Sequence, residues 1–489
     1  MRYQLCDVGV SLRRLFPESV TLYAEDIRVA SCTSDAAQVL PGDAFVAIDA
    51  VDGDGHDLVS LAIERGAEAV IVERPVPQTK VPMCLVPDTR QALGRLCQAL
   101  AGDPSKSLSC IGVTGTDGKT VTSQLVASIL REAGGEVGIL DDLCRERPTD
   151  GSLDRPVRSA TEVAAALGEM AADHATHAVL EVPSRALADH TLAGIELDAA
   201  CFTNLTRAHL ELHNSVLSYR QVKARLLKHV RPGGLCILNR DDPACAALAS
   251  YAPGPVVTYG MTAGADVTAE VIERNPAEQS FLLSYQGSMA AVRTRLIGDH
   301  HVQNCLAAAA LGLAARLDVA TVARGIERVE SLPGRLERVG CLDAPRVYLD
   351  VSPTPTALAA ALDAVRPWGR RVWCVVGAPA FGDDDAIFEY AAVLQRMADV
   401  TFVAPAVAED EVEVQWCRRL AVAIASGECT FASQDRPSAL ESAIRAAGRE
   451  DCVLVVGRHG PLRRDRAIAR GLLAAEARRQ HLGACPHYG

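Results

Sequence analysis

The chain has 489 residues, 49% of them apolar, and a formal charge of −12. That length allows about three domains of ~100–200 residues, each with a sizeable core, and the acidic balance argues against nucleic-acid or membrane-surface partners. No uninterrupted apolar stretch reaches the ~18 residues of a membrane span. Met1–Asp7 carries an acid where a signal peptide needs an apolar run, so a cytoplasmic protein is expected.

The 16 cysteines include no C-x-x-C pair and stand among apolar neighbours, as at Cys201, Cys236, Cys305, Cys374 and Cys452. That is the pattern of small core residues in a reducing compartment, not of disulfides or zinc ligands.

In chain order, residues 1–104 read as a small α/β unit. Strands are expected at Asp43–Ile48 and Ala69–Val72, and helices at Asp57–Gly66 and Ala92–Leu100. Pro75 and Pro77 break the chain between them, and the polar, turn-rich Ala101–Ser107 reads as a linker.

Residues 105–336 open on Leu108–Ser123. A short apolar strand, Cys110–Val113, turns through Gly115 and Gly118 and enters a helical pattern near Lys119. Strand, glycine turn and helix is the context in which Gly118-Lys119-Thr120 binds phosphate. Glycines let the backbone approach the oxygens, and the helix N-terminus presents free N–H groups and a positive dipole end. Lys119 would reach the outer phosphates and Thr120 would hold Mg²⁺. The spacing is a variant, T-G-T-D-G-K-T, because Val113 stands where the commoner pattern has its first glycine.

The phosphate-loop helix should end at Gly134-Gly135. Strands follow at His177–Val182, Ala199–Thr203 and Leu235–Asn239, with a helix over Ser218–Val230 closed by Pro232-Gly-Gly234. This alternation predicts a mostly parallel sheet with helices on both faces. Ligands on such sheets sit beyond the carboxyl ends of strands, where Thr114–Thr120, Glu181–Ser184 and Asn204–His209 fall. Residues 337–489 repeat the pattern, with strands at Arg346–Asp350, Val372–Gly377, Val400–Ala404 and Cys452–Gly457. Helices should fill Ala357–Val365, Ala386–Ala398, Glu411–Ala425 and Ala439–Ala447, with a frayed tail at Cys485–Gly489.

Glu181 ends a strand and would offer a carboxylate to Mg²⁺, which takes oxygen ligands; taken alone it is equally a strand-end acid. His209 taken alone is an ordinary loop histidine, and Lys223 an ordinary solvated helix lysine.

Taken together, these pieces resemble the Mur ligases. The resemblance rests on T-G-T-D-G-K-T, Glu181-Val-Pro-Ser-Arg-Ala-Leu187, Phe202-Thr-Asn-Leu-Thr-Arg-x-His-Leu-x-x-His213, Tyr219-x-x-x-Lys-Ala-Arg-Leu-Leu227 and Asn239-x-Asp-Asp242. It continues through Gly298…Asn304-x-Leu-Ala-Ala, Pro333-Gly-Arg-Leu-Glu337, Val39-x-Pro-Gly-Asp-x-Phe-Val-Ala47 and Asp54-Gly-His-Asp57, and so spans nearly the whole chain. Within the family it is similar to the branch that adds the third amino acid to UDP-N-acetylmuramoyl-dipeptide.

The resemblance implies a three-domain α/β architecture: an N-terminal UDP-substrate domain (1–104), a central P-loop ATPase domain on a parallel sheet (105–336) and a Rossmann-like amino-acid-binding domain (337–489). It implies an ATP- and Mg²⁺-dependent amide-bond ligase of peptidoglycan precursor synthesis, acting as a monomer through an acyl phosphate. The nucleotide would be held by Gly115, Thr116, Asp117, Gly118, Lys119, Thr120, Asn304, Arg335 and Asp350. The metal would be held by Thr120, Glu181, His209 and Lys223, the last as a carbamate. Lys119, Lys223 and His209 would be catalytic, and Ser184 would face the acceptor, a UDP-muramoyl peptide or another carboxylate.

The chain departs from the family pattern mainly outside the phosphate loop. D-S-R becomes Asp35-Ala-Ala37, an aspartate before His209 becomes Ala208, and an asparagine becomes His301. E-V-S-S-H becomes Glu181-Val-Pro-Ser-Arg185, and D-Y-A-H-x-P becomes Asp350-Val-Ser-Pro-Thr-Pro355. The glycine-rich loop near 377–383, D-N-P-R near 404–409 and G-K-G-H-E near 457–461 are all replaced. These changes fall on acceptor and amino-acid pockets harder than on the phosphate set. They leave a competing expectation: a paralogue that binds ATP without ligating, or that acts outside the cell wall. A plain P-loop NTPase or kinase would not need the flanking motifs.

Overall fold

The computed structural model describes residues 9–50, 53–77, 79–141, 159–207, 213, 215–340, 345–377, 384–407, 410–424, 429–433, 435–457 and 459–483. Its strands form three principal sheets, one after another along the chain.

The first sheet has five strands: β1 (Val20–Leu22), β2 (Cys32–Thr33), β3 (Ala44–Val46), β4 (Ala69–Val72) and β5 (Met83–Leu85), in the order β1-β5-β4-β3-β2. All neighbours are parallel except β1 and β5. A helix, α1 (Thr89–Leu100), packs on it and is capped by Asp88, whose side chain accepts from Gln91 N. The expected strands at Asp43–Ile48 and Ala69–Val72 are found, shortened to Ala44–Val46 in the first case. The sequence did not disclose β1, β2 and β5, which are only two or three residues long.

The second sheet has nine strands: β6 (Ser109–Thr114), β7 (Val137–Leu140), β8 (His177–Glu181), β9 (Leu197–Phe202), β10 (Val230–Asn239), β11 (Val256–Gly260), β12 (Val267–Arg274), β13 (Gln279–Tyr285) and β14 (Ser288–Thr294). Their order is β7-β8-β6-β9-β10-β11-β12-β13-β14. Through β12 the neighbours are parallel. Alternate residues of one strand enter separate cores on the two faces: Ile111, Val113, Val179 and Cys201 on one, Cys110, Leu180, Ala200 and Phe202 on the other. Burial on both faces is why these strands read as continuous apolar runs.

The expectation of a mostly parallel sheet needs one correction. β12, β13 and β14 form an antiparallel meander at one edge. One face of it is covered by the core through Phe281, Leu283 and Val292, and the other carries exposed groups such as Glu270 and Glu273. The hairpin between β13 and β14 turns at Gln286 and Gly287, both with positive φ, as a two-residue turn of this kind needs. A second correction concerns the helix expected over Ser218–Val230. It is α-helical at Val216–Ala224, tightens to a 3₁₀ turn over Arg225–His229, and passes into β10 at Val230. Pro232-Gly-Gly234 does not close the helix, which has ended at His229; it lies inside β10, where the pairing with β9 shifts register between Leu197 and Ala199.

The third sheet has six strands: β15 (Glu337–Val339), β16 (Arg346–Asp350), β17 (Val372–Val376), β18 (Val400–Val403), β19 (Thr430–Ala432) and β20 (Cys452–Val456). They are ordered β15-β16-β20-β17-β18-β19, with only β15 antiparallel to its neighbour. Helices at Pro355–Val365, Asp384–Met397, Glu411–Ile424 and Arg436–Ala446 match the expected ones to within three residues at either end. The helix His459–Gly483 was not foreseen, and the tail Cys485–Gly489 lies outside the described residues.

Candidate active site

β6 lies inside the sheet, with β8 on one side and β9 on the other. The connections therefore diverge from its carboxyl end, which opens the crevice where such sheets bind ligands. The loop Gly115–Gly118 fills that end, and a helix, α2 (Lys119–Glu132), leads away from it. Gly118 caps α2 in the left-handed region (φ +86°) with no side-chain cap, so the first amides of a 14-residue helix are left for an anion. A Cβ at Gly118 would lie 2.3 Å from Asn304 Oδ1, and one at Gly115 would lie 1.8 Å from Thr203 Oγ1. Both positions therefore require glycine.

The end of β9 pins this loop. Asn204 Oδ1 accepts from Asp117 N at 2.9 Å, and Asn204 Nδ2 and Thr203 Oγ1 donate to Asp117 O at 3.0 and 2.6 Å. Thr116 N donates to Asn204 O at 2.8 Å. Thr203 and Asn204 stood in the motif beginning at Phe202 but were given no role from the sequence; their place after a strand facing the loop was the available signal.

Thr120 Oγ1 donates to the buried carboxylate of Glu181, at the end of β8, at 2.9 Å. These oxygens are the hard donors that Mg²⁺ takes, so the pair fits the ion. Lys119 Nζ donates to Thr116 O at 2.8 Å and lines the cavity beside the loop.

Lys223 lies on a helix, α3 (Val216–Ala224), that buries Tyr219, Val222 and Lys223. It is not the solvated lysine that its sequence alone suggests: it is 1% exposed. Its Nζ donates to Gly115 O at 2.9 Å and Thr114 Oγ1 at 3.1 Å, holding the loop from beneath. Burial pushes its ammonium well below the usual lysine range; Lys119 adds to this and Glu181 opposes it. His209 lies outside the described residues. Ser184 is buried in the first turn of a short helix, Ser184–Ala188. Gly115, Ser184 and Lys223 do not line the cavity that the other described residues of the expected set share.

That cavity, about 710 Å³, lies between the second and third sheets. It is lined by Thr116–Thr120, Glu181, Asn204 and Asn304 from one side, and by Arg335, Asp350, Ser352, Thr354 and Thr356 from the other. Arg335 donates to Thr120 Oγ1 at 3.1 Å. Thr354 and Thr356 hydroxyls donate to Asp117 Oδ2 at 2.9 and 3.2 Å. Arg207 adds ion pairs to Asp385 at 3.1 Å and Glu389 at 2.7 Å. Asp350 is buried, and burial raises its carboxyl pKa; Ser352 donates to one oxygen and Leu336 N to the other, at 2.8 Å.

Two histidines that line the cavity carry no role in the sequence reading. His301 is 2% exposed; Asn304 Nδ2 stands 3.3 Å from its Nδ1, and its Nε2 has no hydrogen-bond partner. Its ring is 4.1 Å from that of His300. Their adjacency and their helix-start position were visible; their burial was not.

A phosphate-binding loop at the switch point of a parallel sheet, closed over by a second α/β unit with an arginine at the junction between them, is the layout of an enzyme that uses a nucleoside triphosphate. Three family models match the chain: the Mur ligase family, catalytic domain, at 28–100, the Mur ligase middle domain at 113–312, and the Mur ligase, glutamate ligase domain at 334–459. The chain is 33% identical over 440 residues to the UDP-N-acetylmuramoyl-L-alanyl-D-glutamate–2,6-diaminopimelate ligase of Geobacillus thermodenitrificans, covering 87% of this chain and 88% of that one. It is 32% identical over 438 residues to the enzyme of the same name from Gloeobacter violaceus, covering 88% and 89%. In fold it is similar to a solved ligase of that name (TM-score 0.70, 22% identity, 96% and 99% covered) and to the MurF ligase of Thermotoga maritima in complex with ADP (0.66, 19%, 91% and 98%). The chain belongs to the Mur ligase family of ATP-dependent ligases.

Proposed function

We propose that the chain joins a carboxylate acceptor to an amino-acid amine at the expense of ATP, with a UDP-muramoyl peptide as the acceptor. The observation that carries this reading is the shared cavity, where the phosphate loop faces Arg335, at the junction before the third sheet, and Asp350 and Thr354 of the third sheet's unit. The match of ligase-family models to all three parts of the chain favours a ligase over a kinase or simple NTPase. The relatives' names supply the acceptor class.

On this reading the acceptor carboxylate attacks the terminal phosphoryl group, giving an acyl phosphate. The amine then adds to that carbonyl, and phosphate leaves as the amide forms. Lys119, Arg335 and the free amides at the start of α2 stabilise the negative charge that develops on the phosphoryl oxygens. Thr120 and Glu181, with His209, would hold Mg²⁺, which supplies further charge neutralisation. Closure of the third sheet over the loop excludes water and aligns the reactants. A carbamate on Lys223 would turn a buried cation into an anionic oxygen ligand. We take the domains to divide near residues 104 and 336 and the protein to act in the cytoplasm as a monomer.

The test is phosphate release from Mg-ATP, run against a panel of UDP-muramoyl peptides and other carboxylates, each crossed with pooled amino acids. Release that requires one acceptor and one amino acid is the expected result. ATP binding without acceptor-dependent release anywhere in the panel would overturn it in favour of a non-ligating paralogue.

A further inference from the structure

The seam between the first and second sheets holds two thiols in contact. Cys32, on the edge strand β2, and Cys97, on α1, have their sulfurs 3.8 Å apart. Of the twelve described cysteines, all free, this is a pair placed face to face rather than dispersed through the cores. Cys32 is partly exposed and Cys97 is fully buried. On its other side, Cys97 Sγ is 3.5 Å from Thr161 Oγ1, on the helix Ala160–Ala172 of the following domain. Ala160 and Ala164 of that helix share one buried cluster with Cys97, Leu93 and Leu96, and Cys32 packs against it.

We propose that Cys32 and Cys97 form a thiol–disulfide exchange site that reacts with a low-molecular-weight disulfide and locks β2 to α1 at this seam. Cys32, the partly exposed thiol, attacks one sulfur of the small disulfide. Its proton passes to the displaced sulfur, which leaves as one small thiol, and a mixed disulfide remains on Cys32. Cys97 then attacks Cys32 Sγ, gives up its proton, and releases the second small thiol. Two protein thiols are oxidised to one disulfide, and the small disulfide is reduced to two thiols. Exchange of this kind needs an accessible first sulfur and a resolving thiol within reach. The hydrogen bond between the two sulfurs, with that to Thr161, lowers the pKa of Cys97, and the same bond together with burial raises that of Cys32, so the resolving thiolate is favoured and the first attack by Cys32 sets the rate. Sulfurs 3.8 Å apart must approach by about 1.8 Å to reach bonding distance, a shift that a short edge strand can supply.

Cys429 provides the internal control, because it is exposed. The full-length protein is incubated with oxidised glutathione, alkylated, and mapped by mass spectrometry without reduction. The expected result is a linked peptide pair joining Cys32 to Cys97, while Cys429 carries glutathione. In Cys97→Ser, glutathione should persist on Cys32 at roughly tenfold higher occupancy than in the wild type, since no thiol resolves it. Full modification of Cys429 with Cys32 and Cys97 unlinked in the wild type would overturn the proposal, whether or not the variant folds. The outcome does not depend on the ligase reading, because the site touches neither the phosphate loop nor the cavity.

Discussion

The carboxylate of Asp117, in the phosphate loop, accepts a hydrogen bond at 2.9 Å from Thr354, at the start of a helix in the third sheet's domain. Two residues 237 apart in sequence thus hold the cavity closed. Thr354 also caps its own helix by accepting from Ala357 N, so one side chain sets both the helix start and the docking of the domain.

This relationship predicts thermodynamic coupling. Thr354→Val combined with Thr356→Val removes both hydroxyls from Asp117 and should cost about 1–3 kcal/mol. The same pair of changes in an Asp117→Ala background should cost less, with a coupling energy of at least ~0.5 kcal/mol. Denaturant unfolding measures all four proteins; strict additivity would show that the contact carries no energy.

Lys119→Ala should lower nucleotide turnover by about 100-fold or more, the scale of losing one preorganised donor to a developing charge. Among the described residues Lys119 bonds only to a neighbouring carbonyl of its own loop, so thermal unfolding should shift little. ADP should no longer raise the melting temperature of the variant. Undiminished ADP stabilisation would refute the assignment of the loop.

Lys223→Ala should abolish turnover for two reasons that an added acid can separate. The substitution removes the support beneath Gly115 O and Thr114 Oγ1, and it removes any carbamate. If the carbamate supplies oxygens, short-chain carboxylic acids should restore part of the activity. The absence of rescue by any of them would assign Lys223 to loop support alone.

The histidine pair predicts a pH dependence of stability. Burial pushes the His300 imidazolium down to about 4, opposed by Asp299, and pushes that of His301 well below its usual range, with His300 and Arg335 adding to the shift. Unfolded histidine titrates near ~6.5. Both folded pKa values are therefore depressed, and the unfolded chain takes up protons first as the pH falls. Stability is intact above that range and declines from about pH 6.5 through 4, by up to ~1.4 kcal/mol per pH unit for each histidine. Melting temperatures of the wild type and of His300→Asn/His301→Asn, compared at pH 8 and pH 5, should show a flatter dependence in the variant. Parallel curves would place the source elsewhere.

Most of the chain's organisation was legible in its sequence because the physics behind it is local. Strands buried on both faces give apolar runs such as Cys110–Val113 and Val372–Val376. A glycine turn before Lys119 needs no partner to be recognised. The antiparallel meander at residues 267–294 escaped because only one of its faces is buried, so its polar residues read as loop. What only the tertiary structure decided are properties of several segments at once. Lys223 became a buried prop because α3 turns it under the loop, and Asp117 found its donors across a cavity. His301 was enclosed by packing that its neighbours in sequence do not announce. The sequence by itself determined which groups are present and which local shapes they take. Burial, partner and distance arise only when distant segments close on one another, and these decide which of those groups bear charge, hold a loop or face a ligand.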